Sequence, residues 1–276
     1  MRAKSVKRKH KPKQTSPSGP VIRHADAHVV VVEKPAGLTT MRHAEEAAEF
    51  GRGRRFLPKT LEDLLPGLLA QHEASRSPHL RVAASPRTPR VIAVHRLDKD
   101  TSGLVVFART PAAAQLLGGQ FKAHTTDRQY LAIVRGQAKA GRIESRLVRD
   151  RGDGRRGSGG GPDGQRAVTH VRVVEGLGDF TLVECRLETG RTHQVRIHLG
   201  EAGTPLCGER IYDRPPHGKP LPDASGARRN ALHAARLGFD HPATGKRMTW
   251  DAPLPADLQE LLDRLRKRKK GESPRG

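Results

Sequence analysis

The chain has 276 residues, 35% of them hydrophobic, enough for one or two domains with a real core. It contains no run of about 18 apolar residues, which excludes a transmembrane helix, and its basic N-terminus lacks the apolar stretch of a secretory signal. With 51 Lys and Arg against 29 Asp and Glu, its net charge of +22 points to a polyanionic partner.

Nucleic acid is the first such partner and an anionic membrane the second. Part of the charge sits at the ends: residues 1–20 carry seven Lys or Arg and no acid, and residues 264–270 carry six basic residues. Both are expected to be disordered tails, a basic arm over 1–20 and a basic tail over 264–276. The body between them keeps a basic excess of its own. Cys185 and Cys207 form no CxxC pair, which argues against a zinc site and fits a reducing, cytoplasmic compartment.

In chain order, Val29–Val32 is the first predicted strand, and Pro35 and Gly37 mark a turn after it. Residues 41–59 read as an exposed charged loop. Thr60 and Asp63 form a capping-box-like start for a helix carrying Leu61, Leu64, Leu65, Leu68 and Leu69, although Pro66 sits awkwardly inside it. Residues 73–90 read as a loop. Two β-branched runs, Val91–Val94 and Leu104–Ala108, read as short buried strands around a polar segment that ends in Ser102-Gly103. Thr110-Pro111 is a helix start, because Thr caps well and Pro loses no hydrogen bond at the first helical position.

Arg128–Val134 is the next strand. The Gly/Arg-rich window 151–164 reads as a flexible insertion outside the core. Strands follow near Val168–Val174 and Phe180–Leu187. Thr192 is the expected N-cap of a helix whose apolar face carries Val195, Leu199 and Ala202. Residues 214–227 read as loop, Ala231–Phe239 as a late strand, Met248–Trp250 as its return, and Pro253–Arg266 as a terminal helix.

The segment His95-Arg96-Leu97-Asp98-Lys99-Asp100-Thr101-Ser102-Gly103-Leu104 sets a carboxylate in a loop between buried strands, where a scaffold fixes it and the loop exposes it. Three chemistries compete for it. A calcium loop beginning at Asp98 needs a Glu twelfth, and Arg109 stands there. An aspartic protease needs a second carboxylate in a matching motif, and none exists. The third is a single aspartate acting as nucleophile or base, steadied by an arginine. On local grounds alone, Asp98 as a plain turn residue remains open beside it.

The ordered set of motifs resembles the RluA-type family of RNA pseudouridine synthases. His95-Arg96-Leu97-Asp98 with Thr101-Ser102-Gly103-Leu104 is similar to the family's catalytic motif. Lys34-Pro35-Ala36-Gly37-Leu38 resembles its first motif, and Tyr130, within Arg128–Val134, its tyrosine strand. Gly190–Leu199 (GRTHQVRIHL) resembles its arginine motif, and Gly208-Glu209 with Tyr212 the turn that follows. Leu232-His233-Ala234 with Phe239 and His241-Pro242 resembles its C-terminal motif. The matches run from about residue 29 to 255. Departures are Arg128 where Lys is frequent, Glu209 where Asp is usual, and only about 28 residues before the first strand, too few for the S4 RNA-binding domain many members carry.

The resemblance implies an α+β pseudouridine synthase fold over residues 21–263, with a central, mainly antiparallel mixed sheet, flanking helices and a basic cleft. It implies isomerisation of uridines in structured RNA, ribosomal or transfer, by cleavage of the glycosidic bond, rotation of the base and formation of a C–C bond. No atoms are gained or lost, so neither cofactor nor metal is expected. Asp98 is implied as the catalytic aspartate, Arg196 as its ion-pair partner and Tyr130 as a uracil-facing ring able to join proton transfer. Arg96, Lys34 and His95 are implied as substrate-binding, and His193 and His198 as structural or RNA-facing. The implied partner is RNA, with no membrane and a monomeric chain. The rival readings are a non-catalytic RNA-binding protein that keeps the fold and a structural ribosome-associated factor using its basic tails.

Overall fold

The computed structural model describes residues 19–42, 58–76, 90–160, 162–214 and 218–271. Most of the expected arm and of the 41–59 and 73–90 loops lies outside these residues, as does the end of the tail.

The described residues form an 11-stranded sheet flanked by four helices. The strands are β1 (Val21–Ala25), β2 (Val29–Lys34), β3 (Ile92–Ala93), β4 (Ser102–Ala108), β5 (Asp127–Arg135), β6 (Gly141–Val148), β7 (Gly157–Ser158), β8 (Gln165–Gly176), β9 (Phe180–Leu187), β10 (Leu232–Asp240) and β11 (Arg247–Asp251). The helices are α1 (Leu61–Arg76), α2 (Pro111–Ala123), α3 (Gln194–Glu201) and α4 (Ala256–Lys269). The sheet order is β1-β2-β4-β10-β5-β9-β8-β6-β7, with β11 on β10 and β3 on β4. Every pairing is antiparallel except β4 with β10, where Ser102 lies beside His233 and Gly103 beside Ala234. The expected mixed, mainly antiparallel α+β architecture is therefore present.

Strand periodicity explains the layering. Val29 and Val31 face a cluster with Leu104, Val106, Leu117 and Phe239, capped by α2. Val30 and Val32 face the opposite cluster with Val105, Phe107, Leu61, Leu65 and Leu69 of α1. Alternate residues of one strand thus serve two cores, which is why all four valines are fully buried. The other half of the sheet repeats the pattern. Val195 and Leu199 of α3 pack on Val183 and Cys185, while Leu258, Leu261 and Leu265 of α4 pack on Ile133, Phe180 and Leu182.

Helix starts follow the expected chemistry at two places. Thr60 Oγ1 accepts from the Asp63 N–H at 3.2 Å while Asp63 accepts from the Thr60 N–H at 2.9 Å. Thr110 Oγ1 accepts from the Ala113 N–H at 3.1 Å. Pro66 is accommodated inside α1.

Several expectations are corrected. Thr192 does not cap α3; His193 occupies the position before it in the left-handed region (φ 59°), with no side-chain cap bond. Arg264 to Lys269 are not a disordered tail but the last turns of α4. Leu265 continues its apolar face, and Arg266 pairs with Glu175 at 2.7 Å. The Gly/Arg window is tied to the body. The Arg151 side chain is buried against Glu201 (3.1 Å), Glu201 also accepts from the Ser158 N–H, and Gly157–Ser158 pair with β6. Ser102-Gly103 opens β4 rather than making a turn. Strands β1 and β6 were not expected; β6 is mostly polar and partly exposed, so its sequence carries little apolar signal.

Candidate active site

Asp98 lies in the turn before β4, where its carbonyl accepts from the Thr101 N–H at 3.1 Å. The turn is held from three directions. Thr40 donates to the Leu97 carbonyl (2.8 Å) and accepts from its N–H (3.2 Å), which drives Leu97 into the core. The Gly37 N–H and Lys34 Nζ both donate to the Lys99 carbonyl, at 2.8 and 3.0 Å. Arg229 donates to the Asp100 carbonyl (2.9 Å) and to Ser102 Oγ (3.1 Å), and Ser102 in turn contacts His233 Nδ1 at 2.9 Å. Segments distant in sequence thus converge to fix one carboxylate.

Helix α3 delivers the second group. Its N-terminus is fastened by Gln194, whose Oε1 accepts from Thr189 Oγ1 (2.7 Å) and the Arg191 N–H (3.0 Å). Its Nε2 donates to the Val168 carbonyl at 2.9 Å. A buried amide anchored to β8 thus fixes where the helix begins, without capping its first-turn N–H groups. Arg196, two residues along, donates from Nη1 to Asp98 Oδ2 at 3.3 Å. The two residues are 98 positions apart, and the expected ion pair is present.

The bidentate fork, however, goes elsewhere. Arg196 donates from Nε to Glu209 Oε2 at 2.7 Å and from Nη2 to Glu209 Oε1 at 2.9 Å. Glu209 Oε1 also accepts from the backbone N–H groups of Arg210, Ile211 and Tyr212. Burial opposes ionisation of both groups, but their mutual hydrogen bonds and charge outweigh it: the Glu209 carboxyl is lowered and Arg196 holds its proton more tightly than usual. Glu209 therefore aims Arg196, and one remaining N–H meets Asp98. Sequence reasoning noted Glu209 only as a departure in a turn. The signal that finds it is tertiary, a carboxylate buried beside an arginine.

His193, expected to be structural or RNA-facing, also stands at this site. Its left-handed backbone turns the ring so that Nε2 stands 3.8 Å from Asp98 Oδ1 while Nδ1 meets the Tyr212 hydroxyl at 2.8 Å. Burial lowers its imidazolium, with Asp98 opposing. His198, by contrast, is buried between Thr169 and Ser145 and is structural.

Asp98, Arg196, Tyr130, His193, His95 and Arg96 border one cleft of about 630 Å³. Tyr130 enters from β5, between β10 and β9. Burial, with Asp98 adding and Arg128 opposing, pushes its phenol up to about 12, so it presents a neutral ring rather than a phenolate base. His95 is stacked on Phe121 with ring centroids 4.3 Å apart, and its Nε2 accepts from the Val106 N–H at 3.1 Å. Burial, then Arg128, pushes it down to about 3. It shapes the cleft wall as a neutral ring, with that nitrogen spent on the strand.

Lys34 is corrected more fully. It is completely buried and borders a different cavity with Arg229 and Asp257. Burial first, then Arg229, pushes it down to about 7 against Asp98 and Asp100. Its Nζ donates to the carbonyls of Pro35, Leu38 and Lys99 at 2.8–3.0 Å, so its donors are spent on the backbone and none reaches the cleft. Lys34 staples the first motif to the Asp98 turn.

With this geometry in hand, comparison with known proteins is specific. The profile described as RNA pseudouridylate synthase matches residues 28–201. A ribosomal large subunit pseudouridine synthase D of Zymomonas mobilis is 38% identical over 251 residues, covering 87% of this chain and 71% of that protein. One of Neisseria meningitidis serogroup A is 40% identical over 250 residues, covering 89% and 61%. The chain thus spans roughly two thirds of the length of these relatives. Among solved structures, human RNA pseudouridylate synthase domain containing 4 shares the fold with a TM-score of 0.66 at 24% identity, covering 89% of this chain and 92% of that one.

Proposed function

The chain belongs to the RNA pseudouridylate synthase family, and we propose that the Asp98 cleft is where it converts a uridine of large-subunit ribosomal RNA into pseudouridine. The observation that carries this reading is the 3.3 Å contact of Arg196 with Asp98, made by an arginine that Glu209 already grips with its other nitrogens.

The reaction is an isomerisation. The N1–C1′ bond breaks, the uracil turns, a C5–C1′ bond forms, and a proton leaves C5 while one is taken up at N1. A base inside a helix hides its sugar carbons, so the nucleotide must leave its stack at a cost of about a few kcal/mol. A neutral aromatic face such as Tyr130 returns roughly 1–3 kcal/mol by stacking. Asp98 provides the carboxylate that faces the sugar, and attack on the sugar or removal of a sugar proton would start from that same group. Arg196 holds it in place, and Arg96, on the cleft wall beside it, serves to displace the nucleotide. No helix among the described residues is long and apolar enough to cross a membrane. A cytoplasmic monomer acting on RNA fits the basic body and the two buried free thiols, Cys185 and Cys207.

The test is pseudouridine mapping of total cellular RNA with wild type and Asp98→Asn. We expect at least one large-subunit ribosomal site to vanish in the variant while the purified protein stays folded. A map in which no site depends on Asp98 overturns the enzymatic reading. Loss confined to transfer RNA overturns the ribosomal assignment alone.

A further inference from the structure

One group in the cleft wall has no part in the chemistry above. Arg128 is 7% exposed, yet no carboxylate lies within ion-pair distance of it among the described residues. Its Nη2 donates to the Glu188 carbonyl at 3.1 Å, and its buried Nε has no hydrogen-bond partner. The guanidinium rests 5.6 Å above the Phe121 ring, which holds the plane without neutralising it. Burying a cation in this way is costly unless an anion completes the site.

Further cations stand beside it. Lys122, His124 and Arg191 border the same cleft, and none of them is paired with a carboxylate among the described residues. Among the described residues the Arg191 side chain donates to the Arg166 carbonyl, at 3.1 Å, and to no carboxylate. The side chain of Glu188, whose backbone carbonyl meets Arg128, is itself occupied by His170, Arg142 and Arg166. Burial, then Arg128, Arg191 and Arg166, lowers His124, the mark of cations gathered without a counter-charge. The backbone is cut to fit as well: a Cβ at Gly190 would lie 2.3 Å from Arg128 Nη1. The side-chain-free residue makes room for the guanidinium at the cleft wall.

We propose that Arg128, with Lys122, His124 and Arg191 around it, forms a phosphate subsite that takes a backbone phosphodiester of the RNA next to the uridine bound at Asp98. This rests on the reading of the cleft as the uridine site. A guanidinium can grip two phosphate oxygens at once, and a phosphate fixed here would set the register of the strand while Tyr130 takes the base.

The experiment measures binding of full-length wild type, Arg128→Gln, Arg128→Lys and Arg191→Gln to a short synthetic RNA. The RNA covers the Asp98-dependent uridine, or is oligo(U) where mapping finds none, and each phosphodiester in turn is replaced by a neutral methylphosphonate. We expect one replacement to weaken wild-type binding about tenfold and to have no further effect on Arg128→Gln. Arg128→Gln should lower the slope of log K against log salt by about 0.7, and Arg128→Lys should retain most of it. Arg191→Gln, on a more open side chain, should show a smaller coupling at the same linkage, so the outcome does not hang on one buried position. Losses that add in full at every linkage overturn the proposal. Competition by inorganic phosphate at matched ionic strength without coupling to any linkage shows a free-phosphate site, and overturns the backbone assignment. Coupling at one linkage in an RNA that wild type binds but never isomerises fails the uridine reading alone.

Discussion

Replacing Glu209 by Gln tests whether the site is aimed by a charge that never meets substrate. The glutamine oxygen can take the place of Oε1 and keep the bonds from Arg196 Nη2 and from the backbone of Arg210, Ile211 and Tyr212. Its amide NH2 then faces the Arg196 Nε–H, donor against donor, where a carboxylate oxygen stood at 2.7 Å. Removing one partner of a buried pair costs about 3–5 kcal/mol. The conserved shape and retained bonds place this variant near the lower end, about 3 kcal/mol. For a domain of this size that corresponds to a Tm lower by roughly 6–12 °C. Calorimetry measures it. The same change frees Arg196 to shift against Asp98, so single-turnover pseudouridine formation should fall at least about tenfold, equivalent to about 1.4 kcal/mol, while RNA affinity holds. The acid limb gives an independent sign. The folded Glu209 carboxyl lies below its ordinary 4.5, so its stabilisation is complete above that value and is lost as pH falls through the lowered one. The gap in stability between wild type and Glu209→Gln should therefore narrow below pH 4.5. A variant with unchanged Tm, unchanged turnover and a pH-independent gap refutes the aiming role.

Two further outcomes follow from the staple and from the sheet. Lys34→Met leaves the carbonyls of Pro35, Leu38 and Lys99 without their donor, and we expect a loss of about 2–4 kcal/mol by denaturant unfolding. Turnover should fall with the loosened Asp98 turn while RNA affinity is kept; weaker RNA binding with normal stability would restore a contact role for Lys34. Gly103→Ala sets a Cβ 2.3 Å from the Ala234 carbonyl oxygen at a backbone φ of 115°, where rotamer changes give no relief. A cost of about 3 kcal/mol or more is expected from strain and overlap. A variant as stable as wild type would mean that β4 and β10 do not pack at this distance.

The sequence alone was sufficient for the elements with strong apolar periods. Val29–Val32, Leu104–Ala108 and the leucines of α1 declare buried strands and a helix face, because a buried surface requires apolar residues at fixed intervals. It also singled out Asp98 and Arg196, since their motifs carry the resemblance to the family. It did not reveal β6, whose polar alternation resembles loop sequence, nor the helical basic end of α4, where charge alone suggests a tail although Leu265 continues the apolar face. Lys34 shows the limit most clearly. A lysine beside a motif reads as a ligand contact, and only the fold reveals carbonyls closing around its ammonium. The same holds for Glu209 and His193. Their roles depend on distances to Arg196 and Asp98, set by a sheet that brings α3 against the turn before β4. Residue type is local and can be read along the chain; partnership is a property of the folded sheet.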